Sequence, residues 1–154
     1  MKVAIASDHA GYPLKDLLVN KLREAGFSVQ DLGTDNAETS TDYPDFAGKL
    51  AEVLIAGGAE RGIMVCGSGV GASIVMNKFP GVRAGICHDS YSAHQGVEHD
   101  DMNVLCLGGR IIGSETAREI VHQFLDAKFS EEPRHLRRLD KINEIEKRLF
   151  KETE

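Results

Sequence analysis

The sequence has no apolar stretch long enough to cross a bilayer, which excludes a membrane-spanning helix. It also lacks the layout of a signal peptide. Met1-Lys2-Val3-Ala4-Ile5 runs straight into a strand pattern, and the expectation is a cytoplasmic protein. Positive charge is not in excess. Lys and Arg number 18 against 24 Asp and Glu, and the net charge of -6 argues against nonspecific binding to nucleic acid or to an acidic membrane. A few local arginines can still hold a small anion. Cysteine is scarce, with only Cys66, Cys87 and Cys106, and an odd count without an export signal predicts free thiols. There is no CxxC or HxxxH pair, so the usual ligand spacing of a zinc site is missing and no metal is expected. No repeat, low-complexity segment or linker interrupts the chain. Residues 1–154 read as one domain, long enough to bury a real core.

What the chain does contain is an alternation of short apolar runs and helical periodicities. Strands are predicted at 2–7, 27–32, 62–66, 83–87 and 103–107. Between them, Leu14, Leu17, Leu18 and Leu22 recur at helical spacing, as do Phe46, Ala47, Leu50, Val53 and Leu54. Residues 33–42 are polar and read as a loop. Further helices are predicted from Ala72, over 89–98 with Asp89 or Ser90 as cap, and over 114–127. A last helix opens at Pro133 and carries Leu136, Leu139, Ile142, Ile145 and Leu149, with no strand after it. Strands alternating with helices imply an α/β fold, a five-stranded parallel sheet wound on both faces. The terminal helix has an apolar stripe to cover, and a partner subunit is the expected cover.

The stretch Gly62 to Ser73, GIMVCGSGVGAS, is the focus of this pattern. An apolar run ends in Cys66, a glycine-rich turn follows, and a helix begins. Such a turn gathers backbone N–H groups that favour negative charge. A thiol at its lip is well placed to become a thiolate. Cys66 therefore reads either as a general base beside an oxyanion cradle, with the Ser68 hydroxyl inside it, or as a buried cysteine in a tight turn. Cys87 and Cys106 lie within apolar runs and read as core residues.

In a sheet of this kind the site lies at the carboxyl ends of the strands. That rule brings Asp8 and His9, Cys66 to Gly71, His88 and Arg110 to one edge. Asp8-His9 reads either as a pair of ligand contacts or as a cap followed by an exposed histidine. His99-Asp100-Asp101 falls in a predicted loop before the fifth strand, where His99 is either a general acid or an incidental surface histidine. Arg134 and Arg138, four apart on the last helix, form either a phosphate clamp with Arg110 or a solvated basic patch. Arginine at a helix N-terminus opposes the helix dipole, a cost that a docked anion would offset.

Taken together, these residues resemble a known family. Ser7-Asp8-His9-Ala10-Gly11, Tyr43-Pro44-Asp45, Cys66-Gly67-Ser68-Gly69-Val70-Gly71, Asn103-Val104-Leu105, Gly109-Arg110 and the Arg134–Arg138 pattern are similar to the ribose-5-phosphate isomerase B family, which also holds galactose-6-phosphate and allose-6-phosphate isomerases. The resemblance implies a Rossmann-like three-layer α/β/α sandwich and an aldose–ketose isomerase working through a cis-enediolate without metal or organic cofactor. It implies that Cys66 is the base and that Gly67, Ser68, Gly69, Val70 and Gly71 hold the enediolate oxygens. His99 would help open the sugar ring, Asp8 and His9 would contact substrate, and Tyr43 would line the pocket. Arg110, Arg134 and Arg138 would bind the phosphate of a small sugar phosphate. It further implies a homodimer or homotetramer with the site shared between subunits. Two positions depart from the family pattern: Asp100 stands where asparagine is usual, and Pro133 where glycine is frequent. The competing readings are the same chemistry on a four- or six-carbon sugar phosphate, and a non-catalytic nucleotide-binding module suggested by the loose dinucleotide fingerprint GSGVG.

Overall fold

The structure, a computed structural model, describes residues 1–151; residues 152–154, which the single-domain expectation includes, lie outside the described residues. Five strands, β1 (Lys2–Ser7), β2 (Ser28–Asp31), β3 (Arg61–Cys66), β4 (Ala84–Ile86) and β5 (Val104–Gly108), form one parallel sheet in the order β2-β1-β3-β5-β4. Alternate residues point to opposite faces of a strand. Val3 and Ile5 therefore bury under one helical layer, while Ala4 and Ala6 bury under the other. Both faces are covered, which is why the central strands read as unbroken apolar runs.

The helices are α1 (Tyr12–Glu24), α2 (Tyr43–Ile55), α3 (Val70–Met76), α4 (Ser90–Asp100), α5 (Ser114–Asp126) and α6 (Pro133–Lys151). Leu14, Leu18 and Leu22 of α1 share one core with Ala93 and Val97 of α4 and with Ile120 and Phe124 of α5. Ala47, Leu50 and Ala51 of α2 meet Ala72 and Met76 of α3 in the other. Burying each large apolar side chain contributes roughly 1.5–3 kcal/mol, so the two cores hold the three layers together. Lys15 of α1 is buried with its ammonium 2.7 Å from Asp31 on β2, and this ion pair ties the first helix to the edge strand.

Most predicted elements are present, with shifts at their ends. α3 opens at Val70 rather than Ala72, because the chain enters the helix directly from Gly69. The edge strands β2 and β4 are shorter than predicted, since each pairs on one side only. The largest correction concerns α4. It runs on to Asp100, so His99 and Asp100 are helical rather than in a loop. Asp101 takes a left-handed conformation (φ 49°) and turns the chain, Met102 N–H donates to the Gly96 carbonyl, and the Asp101 carboxylate pairs with Arg83 at 2.8 Å.

The register sets Ser7 opposite Val65, and Cys66 opposite Gly108. The ends of the three central strands are thus level. The chain leaves β1 toward β2 and leaves β3 toward the other edge, so a crevice opens between the β1 and β3 ends.

Candidate active site

A cleft of about 590 Å³ occupies that crevice, lined by Asp8, His9, Ala10, Tyr43, Cys66, Gly67, Ser68, Val70, Gly71, Ile74, Arg110 and Ile111. Each polar group arrives from a strand end or from the first residues of a helix. Asp8 is buried, and its Oδ1 accepts from Gly11 N–H at 2.9 Å. It closes the turn and also lines the cleft. His9 N–H donates to Thr41 Oγ1 at 2.9 Å, and its Nδ1 accepts from Thr41 N–H at 3.1 Å.

Cys66 ends β3 with its Sγ accepting from Gly69 N–H at 3.1 Å. Gly69 has a φ of 82°, and a Cβ there would stand 3.1 Å from the Leu107 carbonyl carbon, so only glycine fits this turn without strain. Ser68 Oγ accepts from Val70 N–H at 3.2 Å, which leaves its O–H free to donate elsewhere. The N–H groups of Ser68 and Gly71 meet no acceptor among the described residues. Gly71 also seats the Tyr43 ring, because a Cβ there would stand 2.6 Å from Tyr43 Cζ. Arg110 N–H donates to the Gly67 carbonyl at 3.0 Å, and its guanidinium lies against Gly67.

All three cysteines are unpaired and buried, but only Cys66 lines the cleft. Burial pushes the Cys87 thiol up to about 11, with Asp89 adding to the effect. Burial raises Cys106 as well, helped by the proximity of the other two sulfurs. Both remain protonated near neutral pH, as expected of core residues. Among the described residues no three His, Cys, Asp or Glu side chains gather into a metal-binding group.

The remaining predicted residues are elsewhere. α4 leaves the carboxyl edge after β4 and returns to the amino end of β5, a span of about 16 Å for its 11 residues. His99 and Asp100 therefore lie at the opposite edge of the sheet from Cys66. The His99 ring stacks on His135 of α6, with centroids 4.0 Å apart and planes 26° apart. Gln95 Nε2 is 2.9 Å from His99 Nδ1, and Ser130 Oγ is 2.5 Å from His135 Nδ1. His135 Nε2 is buried without a partner among the described residues. Burial holds the His135 pKa below the ordinary histidine value, and the His99 ring, Arg134 and Arg138 reinforce this. Arg134 is exposed and pairs with Glu132 at 3.2 Å; Arg138 is exposed nearby. Asp100 is exposed and lines a separate cleft of about 490 Å³, whose other walls include Arg83, Met102, Ile142 and Ile145. α6 touches its own chain through α4 and through Glu146, which accepts from Gly81 N–H at 3.0 Å. Leu136, Ile142, Ile145 and Leu149 stay 41–53% exposed.

One chain thus brings together Asp8, His9, Tyr43, Cys66 to Gly71 and Arg110. It does not bring His99, Asp100, Arg134 or Arg138 to them. Sequence reasoning did not single out Thr41, Gln95 or His135. Gln95 stands four residues before His99 on a helix, a spacing that signals contact. His135 sits between the two motif arginines. Thr41 reaches His9 across a polar loop, and no local pattern announces that.

Residues 3–142 match the model of the ribose/galactose isomerase family. Ribose-5-phosphate isomerase B of Escherichia coli is 44% identical over 147 residues, 96% of this chain and 97% of that protein. D-erythrulose-4-phosphate isomerase of Pectobacterium atrosepticum is 40% identical over 129 residues, 84% of this chain and 85% of that one. The solved structure of ribose-5-phosphate isomerase B from Clostridium thermocellum superposes with a TM-score of 0.93 at 47% identity, covering 97% of this chain and 99% of the other. With a cysteine and a glycine-rich turn at the switch point of the same sheet, the chain belongs to the ribose/galactose isomerase family, and with it to the enzymes that interconvert aldose and ketose sugar phosphates.

Proposed function

We propose that the enzyme interconverts ribose 5-phosphate and ribulose 5-phosphate through a cis-enediolate, with Cys66 as the base. The observation that carries this reading is the Cys66 thiol held by Gly69 N–H inside the cleft. The thiolate takes the proton from C2 of the open-chain aldose. Negative charge then develops on O1, where the N–H groups of Ser68 and Gly71 and the Ser68 hydroxyl can meet it. Returning the proton to C1, with the O2 proton passing to O1, gives the ketose. No redox partner or cofactor enters the balance.

Ring opening and phosphate binding need groups that one chain does not supply at this cleft. Among the described residues, Arg110 is the one Lys or Arg lining it. A two-fold symmetric pair solves this, because each interface residue then has a reciprocal mate. His99, Asp100, Arg134 and Arg138 of a second copy would complete each cleft, and the half-exposed stripe of α6 would be covered by the same contact. His99 would donate a proton to the ring oxygen, and the arginines would clamp the phosphate. We therefore read the enzyme as a homodimer, or a homotetramer of such dimers, acting in the cytoplasm.

A second reading rests on Asp100. An ionised carboxylate cannot donate to an anionic intermediate, so the preferred sugar could be a four-carbon one. Incubation in deuterated water with four-, five- and six-carbon aldose phosphates, followed by NMR at C2, separates these readings. Fastest exchange is expected with ribose 5-phosphate. Faster exchange with a tetrose phosphate would replace the substrate assignment, and no exchange with any of them would remove the enediolate mechanism.

A further inference from the structure

We propose that Thr41 is a positioning residue that locks His9 as an N–H donor facing the cleft. The use made of that donor rests on the isomerase reading; the lock itself does not. Thr41 lies in the loop between β2 and α2, 32 residues from His9. Two hydrogen bonds join them in opposite senses. His9 N–H donates to Thr41 Oγ1 at 2.9 Å, and Thr41 N–H donates to His9 Nδ1 at 3.1 Å. The same Oγ1 stands 3.4 Å from Nδ1.

A backbone N–H can only donate. Nδ1 must therefore be the accepting nitrogen, and the proton of the neutral ring must sit on Nε2. With Nδ1 turned to Thr41, Nε2 is the ring nitrogen left to the cleft that His9 lines beside Asp8, Cys66 and Arg110. His9 in this state offers a proton in a hydrogen bond and cannot accept one from carbon. A cleft that must hold a thiolate, a phosphate and an enediolate gains from a fixed neutral donor. The proton relay is then left to Cys66. Thr41 precedes Asp42, the N-cap of α2, and Tyr43 follows in the same segment and also lines the cleft. The loop and the helix start are placed as one unit against the β1 turn.

The test is nitrogen-15 NMR of histidine-labelled protein near neutral pH, with the His9 signals assigned through His9→Asn. Nδ1 should appear unprotonated and Nε2 protonated. A ring protonated on Nδ1, or one exchanging between tautomers, overturns the proposal. Thr41→Ser keeps both contacts and should keep the tautomer and the wild-type KM. Thr41→Val keeps the N–H but loses the hydroxyl that anchors His9. It should keep the tautomer that the retained N–H fixes and raise KM about fivefold, the fold-change of one ordinary hydrogen bond, with kcat within about twofold. Wild-type KM in Thr41→Val, or a Thr41→Ser as damaged as Thr41→Val, would also overturn it. The NMR measurement needs no turnover. If no sugar phosphate is isomerised, the functional reading fails while the Thr41–His9 lock is still decided.

Discussion

The two ends of the sheet carry different kinds of polar surface. At the carboxyl edge the donors are mostly main chain. Gly69 N–H serves sulfur, Ser68 and Gly71 N–H groups meet no acceptor among the described residues, and Asp8 and His9 are pinned by backbone bonds. At the amino edge the groups are side chains on helices: the stacked His99 and His135 rings, and the exposed Arg134 and Arg138. The first region is rigid because strand ends and tight turns define it. The second carries charge and lies away from Cys66. Rigid main-chain donors suit an oxyanion that forms and collapses at one place. Long arginines suit a phosphate that must be captured and released. On the proposed reading, the two regions meet across a subunit boundary.

The comparison can be broken most strongly at Cys66. Cys66→Ala should lower turnover by about a hundredfold to ten-thousandfold with the fold intact, the usual cost of removing a general base. Iodoacetamide should modify Cys66 rather than Cys87 or Cys106, and substrate should protect. Near-wild-type turnover in this variant would move the proton transfer to another residue. Mixing Cys66→Ala subunits with an Arg134→Ala/Arg138→Ala double variant sharpens the point. Random pairing leaves about a quarter of the sites wholly wild type if each site is shared between two copies. No recovery of activity would mean that one chain carries the whole site.

Single arginine changes come next. Arg134→Ala and Arg138→Ala should each raise KM by roughly tenfold to a hundredfold, a charge-assisted hydrogen bond being worth about 1.5–3 kcal/mol. Inhibition by inorganic phosphate should weaken in step, with kcat less affected. Unchanged KM and phosphate inhibition in both would place the clamp elsewhere.

A smaller effect is expected at Asp100. If its carboxylate faces sugar hydroxyls or an arginine across the interface, Asp100→Asn should change kcat/KM on ribose 5-phosphate only a few-fold, with the pH profile unmoved. A loss of high-pH inhibition in Asp100→Asn would instead mean that a protonated Asp100 donates to the intermediate. A large loss at every pH would point to a substrate that requires the carboxylate.

The smallest effect concerns stability. The His135 pKa lies below its unfolded value near 6.5, so the unfolded chain binds the extra proton first. Stability from the neutral buried ring is full above that pH and is lost as pH falls below it. Thermal melts of the wild type should therefore lose more between pH 7 and pH 5 than melts of His135→Asn. Parallel curves would show that the stacked pair does not titrate this way.

Much of the fold was legible because parallel strands and amphipathic helices have distinct periods. Val3 to Ala6 and Ile63 to Val65 are apolar throughout since both faces are covered. Gly26 and Gly57–Gly58 marked helix ends, and the Cys66–Gly71 turn announced its own chemistry. The extension of α4 was not legible. It depends on the left-handed Asp101, held by Arg83 just before β4, and on Met102 packing against Gly85 and Gly96. Those partners are distant in sequence and leave no local signal.

By itself the sequence determined the element types, the carboxyl-edge rule and the cysteine at the crevice, because each follows from spacing within a dozen residues. Only the tertiary structure decided the strand order, the contact of Thr41 with His9, and the division of the motif residues between two edges. A helix that spans the sheet carries its last turn to the far side, and no motif records which way a helix runs in space. His99 and Cys66 look like neighbours in a list of site residues. They lie apart in one chain because α4 must cross back before β5 can begin.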